Sequence, residues 1–405
     1  MSNREYFLYG GDMSLYTGKA RSYLRKKGVH FETRPTSHPG YARAKAEIGR
    51  AFMPILETAA GEFVQDTTEI IDFIEPRHPE PSIVPGGPCQ QLVALLLELY
   101  GDEGLLKPAM HYRWNFPEVN DHFLASEFGR GTSPTELPIF PNVQRRFPVA
   151  AGRMRWKLIS WLMRKHALPT FGVTAESIPA IEAEYAELLD RLDAHLERLP
   201  YMLGGRPCVG DFGLIAPLYA HLGRDPEPLR IMKARAPMVV RWVERMNACD
   251  ADMPEFPEQR PEFLPGDEVP ETLLEILRLM ASDFLPEMLG IFGSVESWLV
   301  DHPDNSLSNP LPHKSAAQGP GPFGTHHFLL RGVPIELGVR HYAIWMAQRP
   351  LDFYAALDVA DRERADRILD ATGLRPLFNL SPSFRLERRE HKEYLVHQTR
   401  EGTPS

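Results

Sequence analysis

The sequence predicts a small α/β domain, then an all-α domain and a mostly helical C-terminal extension. Over residues 5–75, short apolar runs alternate with helical patterns, which is typical of strands and helices packed in layers. From residue 90 onward, long helical patterns follow. Two proline-rich stretches, residues 76–88 and 254–270, predict the connections between the three parts.

The first domain is predicted to contain four strands and two helices. An apolar run ends at Gly10, a helical pattern ends at Gly28, and Ala60 with Gly61 is typical of a turn between strands. The predicted strands are 5–10, 29–34, 53–57 and 62–64. The predicted helices are 19–27 and 67–75.

The other two parts are predicted from helical periodicity. Residues 91–100 are nearly all apolar, and residues 177–199 carry a stripe of apolar side chains at helical spacing. In the extension, residues 271–284, 340–357 and 361–371 show helical patterns, and no motif with a known chemistry occurs there. We therefore expect domains at 1–84, 89–253 and 265–400.

Composition narrows the classes of function. Lys plus Arg number 45 against 54 Asp plus Glu, a net charge of −9, which argues against nucleic acid as a partner. The three cysteines, Cys89, Cys208 and Cys249, are too few for a disulfide framework or a four-ligand zinc site. We expect a cytoplasmic protein without a metal and, since no run approaches about 18 apolar residues, without a membrane span.

Candidate functional residues follow the first predicted strand. Ser14, Tyr16 and Thr17 place three hydroxyls at the start of a helix, where a serine or threonine is ordinarily a helix cap. Two further features occur in order within the same domain. Met53-Pro54 begins a strand, a position where proline requires special peptide geometry, and Asp66-Thr67 opens the last helix.

On these residues, the sequence resembles the glutathione transferase family over about residues 4–250. That family has a thioredoxin-like first domain and an all-helical second domain. Ser14 stands five residues before Lys19, as the family's catalytic residue stands before a basic residue. Met53-Pro54 resembles the family's cis Val-Pro, and Asp66-Thr67 resembles the Glu-Ser pair that opens its third helix.

The resemblance implies glutathione as co-substrate and a catalytic role for Ser14. A hydroxyl at a helix N-terminus would stabilise the glutathione thiolate, because the helix dipole and free N–H groups favour negative charge. Tyr16 and Thr17 would be alternative hydroxyls. The stretch Ser14-Leu15-Tyr16-Thr17 has no cysteine, which excludes dithiol exchange at this turn.

The resemblance also implies residues that bind the rest of the tripeptide. The Met53 main chain, turned by Pro54, would pair with the peptide backbone like an added strand. Asp66 would take the γ-glutamyl ammonium, and Thr67 the α-carboxylate.

Aromatic residues after the first connection are implied to line a second-substrate pocket. These are Tyr100, His111, Tyr112 and Trp114. One departure from the family is Cys208-Val-Gly-Asp211, where the family has Ser or Thr in a capping box. We expect Asp211 to cap the helix and Cys208 to be a small buried residue.

The expected function is a homodimeric glutathione transferase of detoxification, which conjugates the thiolate to a small apolar electrophile. Glutathione-dependent ether cleavage, dehalogenation or isomerisation would use the same thiolate and stay open. A non-catalytic binding or assembly module with the same fold also stays open. The extension could close the substrate pocket or cover an interface.

Overall fold

The structure, a computed structural model, describes residues 5–130, 156–302, 309–312 and 319–398. Its first domain is a four-stranded sheet with helices on its faces. The strands are β1 (Tyr6–Tyr9), β2 (Phe31–Arg34), β3 (Ile55–Thr58) and β4 (Phe63–Gln65). The helices are α1 (Leu15–Lys26), α2 (Pro39–Ile48) and α3 (Thr67–Ile74).

The sheet has the strand order β2-β1-β3-β4. β1 runs parallel to β2 and antiparallel to β3, and β3 runs antiparallel to β4. This is an α/β thioredoxin-like domain, as expected from the sequence. Helix α2 was not among the predicted elements. It has Pro39 at its first position and buries only Tyr41, Ala44 and Ile48, which is a weak helical stripe.

The second part is helical throughout the residues that the structure describes, and residues 131–155 lie outside these. Helix α4 (Pro88–Leu99) passes through a π-helical turn (Tyr100–Gly104) into α5 (Leu106–Trp114), and α6 (Pro117–Arg130) follows. Residues 156–162 are helical and continue into a second π-helical turn (Met163–Ala167) and a short helix (Leu168–Thr170). The further helices are Ile178–Leu196, Val209–Ala220, Pro226–Arg235 and Pro237–Asn247.

The helix Val209–Ala220 is the centre of the helical part and packs against α1 and α4. It approaches the π-helical turn closely, because a Cβ at Gly101 would lie 2.3 Å from the carbonyl carbon of Gly213. Its N-terminus is held as the sequence suggests. Asp211 Oδ2 accepts a hydrogen bond from the Cys208 N–H at 3.0 Å, and Cys208 is buried.

The extension combines helices with two β-hairpins. Its helices are Glu271–Asp283, Leu285–Asp301, His341–Ala355, Val359–Thr372 and Arg375–Phe378. Its hairpins join β5 (Thr325–Leu330) to β6 (Val333–Gly338), and β7 (Phe384–Arg389) to β8 (Lys392–His397). The hairpins are additional to the helices that the sequence predicts.

One continuous apolar core runs through all three parts of the chain, from Tyr6 on β1 to Leu395 on β8. The helices His341–Ala355 and Val359–Thr372 of the extension pack against α4, and Glu271–Asp283 packs against Ile178–Leu196. The extension therefore folds back over the rest of the chain. In the described ranges, no helix is both long and apolar enough to cross a membrane.

Candidate active site

A cavity of about 350 Å³ lies where the three parts of the chain meet. The first domain lines it with Leu15, Tyr16, Phe52, Met53, Pro54, Gln65, Asp66 and Thr67. The helical part lines it with Glu103, Leu106, Met110, Thr170 and Phe171. The extension lines it with Pro312, Gly319, Pro320, Gly321, Gly338, Val339, Arg340, His341, Tyr342, Arg388 and Glu393. The cavity thus gathers most of the predicted first-domain residues.

Ser14 is the N-cap of α1. Its Oγ accepts a hydrogen bond from the Thr17 N–H at 3.3 Å, and its backbone is extended. Ser14 is half-buried and does not itself line the cavity, but Leu15 and Tyr16 directly after it do. The bond from Thr17 uses an acceptor site of the hydroxyl and leaves its proton for another partner. In the structure, Ser14 therefore acts as a helix cap. Donation of its hydroxyl proton to a thiolate stays a prediction.

The two other hydroxyls of this turn have different surroundings. The Tyr16 O–H faces the cavity region and donates to the Asp102 carbonyl oxygen at 3.2 Å. Burial and the Glu103 and Asp102 carboxylates raise the pKa of Tyr16, so its phenol stays protonated and can act as a donor. Thr17 is buried against Gly10, where a Cβ would lie 2.3 Å from Thr17 Oγ1. Thr17 does not line the cavity.

Met53 and Pro54 lie just before β3, and the peptide between them is cis. The last pair of the β3–β4 ladder at this end is Ile55 with Gln65. Met53 therefore lies beyond the paired part of the sheet, on the cavity wall.

Asp66 and Thr67 form the start of α3 in an unusual backbone conformation. Asp66 has φ 94° and ψ 140°, a backbone region that residues other than glycine rarely adopt. Its Oδ1 accepts from the Thr68 N–H at 2.9 Å, which caps the helix. Its Oδ2 accepts from the Tyr342 O–H at 2.6 Å, so the extension reaches this carboxylate. Both residues line the cavity.

The four aromatic residues predicted for a second pocket lie outside this cavity. Tyr100 packs against Phe284, with ring centroids 5.9 Å apart. His111 Nε2 lies 3.0 Å from Glu182 Oε1. Tyr112 and Trp114 are stacked on Phe116 and Trp156, respectively. Leu106, Met110 and Phe171 form the apolar wall of the cavity instead, although Leu106 and Met110 lie on the same helix, α5, as three of the predicted residues.

A buried network of charged residues connects elements that line the cavity. Lys19 Nζ donates to Glu98 Oε1 at 2.7 Å, to Asp102 Oδ2 and to Thr68 Oγ1 at 3.2 Å. Burial raises the pKa of Asp102 to about 8 despite the neighbouring Lys19 ammonium. This network joins α1, α3, α4 and the π-helical turn. Leu15 and Tyr16 of α1, Thr67 of α3 and Glu103 of the turn line the cavity.

The extension adds charged and polar residues that the sequence analysis did not single out. Arg340 Nη1 donates to Glu103 Oε2 at 2.7 Å, which ties the extension to the helical wall. Burial raises the pKa of Glu103 to about 7, although Arg340 lowers it. Arg388 on β7 donates from Nη2 to Gln65 Oε1 at 2.8 Å. In the sequence, Arg388 lies in a charged run typical of a solvated surface, so no local pattern marks it.

The first domain also matches a known family. Residues 8–82 match the family model described as glutathione S-transferase, N-terminal domain. The N-terminal domain belongs to the glutathione transferase superfamily. The match covers the sheet, the cis Met53-Pro54 peptide and the start of α3. The resemblance predicted from the sequence is therefore confirmed for this domain.

Solved structures of glutathione transferases are similar to this chain at low identity. A glutathione S-transferase from Rhodospirillum rubrum F11 is 14% identical, with a TM-score of 0.36, and covers 67% of this chain and 99% of that chain. The β-etherase LigF from Sphingobium sp. strain SYK-6 is 19% identical, with a TM-score of 0.40, and covers 63% and 99%. A glutathione S-transferase from Methylobacterium radiotolerans, solved with glutathione sulfonate, is 21% identical, with a TM-score of 0.32, and covers 64% and 96%.

These likenesses are weak, and the family match is confined to residues 8–82, the N-terminal domain. No curated protein matches the chain. Across the described ranges, no group of three or more His, Cys, Asp or Glu residues is placed to hold a metal ion.

Proposed function

We propose that the protein is a glutathione transferase, in which the cavity binds glutathione and the thiolate attacks a small apolar electrophile. One observation carries this proposal. The first turn of α1, the cis Met53-Pro54 peptide and Asp66-Thr67 all meet at one cavity, within a glutathione transferase N-terminal domain. Cytoplasmic location, a homodimer and a role in detoxification belong to the same proposal.

The thiol would bind at the N-terminus of α1. This helix has 12 residues and no acidic residue in its first turn, so its N–H groups and dipole favour an anion there. A glutathione thiol has a pKa of about 8.5. To lower this pKa by one unit, the site must stabilise the thiolate over the thiol by about 1.4 kcal/mol. We assign the donated hydrogen bond to Ser14. Tyr16 is the competing donor, because its protonated phenol lines the cavity, but its single O–H would have to leave the Asp102 carbonyl oxygen to reach a thiolate.

The tripeptide would extend from this turn toward α3. The Met53 backbone would pair with the cysteinyl unit, with Pro54 holding the turn. Asp66 would accept the γ-glutamyl ammonium, because its carboxylate lies at the cavity wall and keeps acceptor sites beyond its bonds to Thr68 and Tyr342. Thr67 would donate to the α-carboxylate from the first turn of α3.

The electrophile would contact the apolar wall formed by Leu15, Leu106, Met110 and Phe171. An apolar wall of this kind suits a hydrophobic co-substrate. Glutathione-dependent ether cleavage, dehalogenation and isomerisation would use the same thiolate and the same wall. A non-catalytic module would bind glutathione without turnover.

The first experiment measures turnover of 1-chloro-2,4-dinitrobenzene with glutathione. We expect Ser14→Ala to lower kcat/KM by about 100-fold or more, the effect of removing one donor to a developing or bound anion. We expect the ultraviolet absorbance of bound thiolate at neutral pH to disappear in the same variant. Tyr16→Phe should reduce kcat/KM by less than about tenfold.

Controls separate the hydroxyl from the helix cap. Ser14→Asn keeps a capping acceptor without a hydroxyl and should be as inactive as Ser14→Ala, whereas Ser14→Thr should recover activity. If Tyr16→Phe is the more damaging change, Tyr16 is the donor. Glutathione binding without turnover of any electrophile would support the non-catalytic module, and an absence of binding would overturn the proposal.

A further inference from the structure

Arg388 is a buried cation that the extension places at the cavity. It lies on β7, its side chain is only 3% exposed, and it lines the cavity together with Asp66 and Thr67. The rings of Trp345 and Tyr342 lie 5.2 and 5.9 Å from its guanidinium carbon. These aromatic faces shield the guanidinium and hold it toward the start of α3.

Most of the donor capacity of this guanidinium is unused. Nη2 donates to Gln65 Oε1 at 2.8 Å, whereas Nε and Nη1 have no hydrogen-bond partner within the described part of the chain. These groups form looser ion pairs instead, Nη1 with Glu69 at 3.3 Å and Asp66 at 3.7 Å, and Nε with Glu393 at 3.4 Å. The three carboxylates compensate the charge of the guanidinium, but its Nε–H and Nη1–H groups still lack hydrogen bonds that a ligand in the cavity could accept.

The arrangement around Arg388 suits a ligand group that carries both a negative and a positive charge. The guanidinium offers a site for a carboxylate, and Asp66 beside it offers a site for an ammonium. Only an α-amino acid end group carries a carboxylate and an ammonium on one carbon atom. In glutathione, this group is the free end of the γ-glutamyl residue.

We propose that Arg388 binds the α-carboxylate of the γ-glutamyl group, so that residues from both ends of the chain recognise one amino acid end group. This inference rests on the proposed function. Arg388 would act with Thr67, and Tyr342 would position Asp66 for the ammonium through its 2.6 Å hydrogen bond. The extension would then be part of the binding site and determine specificity for a free γ-glutamyl end.

The test compares two tripeptides by isothermal titration calorimetry on the full chain under reducing conditions. The first is glutathione, and the second is 4-aminobutanoyl-Cys-Gly, which lacks only the α-carboxylate. We expect wild type to bind glutathione about 10- to 100-fold more tightly than the analogue, the range for a hydrogen bond to a charged group. In Arg388→Gln, glutathione should lose this advantage while the Kd of the analogue changes by less than about threefold.

Two variants serve as controls. Arg388→Lys keeps the charge without the planar pair of donors and should retain part of the preference. Arg385→Gln removes another arginine of β7, which pairs with Asp352 at the surface and does not line the cavity. It should bind both tripeptides as wild type does.

The outcomes distinguish this inference from the proposed function. If wild type binds neither tripeptide, the proposed function fails and this inference fails with it. If wild type binds glutathione but Arg388→Gln weakens both tripeptides by the same factor, the function stands and Arg388 is structural. Equal affinity of wild type for the two tripeptides would also overturn the inference.

Discussion

Glu184 shows how much a single buried carboxylate can affect this protein. It lies on the helix Ile178–Leu196 with no exposed surface, and neither of its oxygens has a hydrogen-bond partner among the described residues. Burial raises the pKa of Glu184 to about 8, although Lys107 lowers it. The folded protein therefore holds this side chain protonated at neutral pH.

We predict that Glu184→Gln stabilises the protein at alkaline pH. The unfolded chain ionises Glu184 near pH 4.3, so its contribution to the free energy of unfolding is complete below that pH and is lost as pH rises toward about 8. Within that window the loss is at most ~1.4 kcal/mol per pH unit. The amide replaces the neutral carboxyl without titrating, so the melting temperatures of variant and wild type should diverge as the pH rises from about 4.3 to about 8 and stay apart above that.

Glu197→Gln is the matched control for this comparison. Glu197 follows the same helix and is exposed, so its replacement should shift the melting temperature little at any pH. Parallel pH profiles for Glu184→Gln and wild type would show that Glu184 is ionised in the folded state.

At the scale of elements, the N-terminus of the helix Val209–Ala220 depends on one carboxylate. Asp211 accepts from the Met202 N–H at 3.2 Å, the Cys208 N–H at 3.0 Å and the Trp242 Nε1–H at 3.1 Å. Burial raises the pKa of Asp211 to about 6, and these hydrogen bonds oppose the rise. The sequence identified Asp211 as the cap, but its bonds to Met202 and Trp242 depend on tertiary packing.

We predict that Asp211→Ala lowers the free energy of unfolding by about 3 kcal/mol or more, because it leaves three buried N–H donors and the Cys208 thiol without an acceptor. Urea unfolding with an unchanged slope and a lower midpoint would measure this loss. Cys208→Ser is the control. Its hydroxyl can donate to Asp211 as the thiol does at 3.3 Å, so it should cost less than about 1 kcal/mol. Equal losses in the two variants would contradict a central role for Asp211.

The two hairpins of the extension were not predicted from the sequence, and they differ in how clearly the sequence marks them. In β5, Phe328 and Leu330 are buried on alternate positions, which is a strand pattern that could have been read from the sequence. The turn Arg331-Gly332 has positive φ at both residues and is marked by its glycine. The turn Glu390-His391 also has positive φ at both residues but contains no glycine, so its composition does not indicate a hairpin.

For the whole molecule, the sequence singled out several first-domain residues that line the cavity but none of those that the extension contributes. Met53-Pro54 and Asp66-Thr67 are local patterns with a fixed order, so they can be recognised without knowing the fold. Tyr342 and Arg388 reach Asp66 from about 280 and 320 residues away in sequence. Only the packing of the extension onto α4 brings them there.

The same packing leads to a prediction about how the whole chain unfolds. A chain of 405 residues commonly unfolds in several steps, as its domains melt separately. Here one apolar core joins Tyr6 of the first domain, Trp242 of the helical part and Leu395 of the extension. Ion pairs such as Arg50 Nη1 to Glu393 Oε2 at 2.6 Å cross the same boundary. The described apolar core of the extension is therefore shared with the rest of the chain and should not melt independently.

We predict a single cooperative thermal transition for the full chain. Far-UV circular dichroism and tryptophan fluorescence should give the same midpoint, and the calorimetric and van't Hoff enthalpies should agree. A chain ending at residue 264 should lose this transition, because it exposes the apolar faces that Ile276 and Met288 cover in the full protein. Two separated transitions in the full chain, or a truncated chain that melts at the wild-type temperature, would show that the extension is an independent unit docked on a self-sufficient transferase fold.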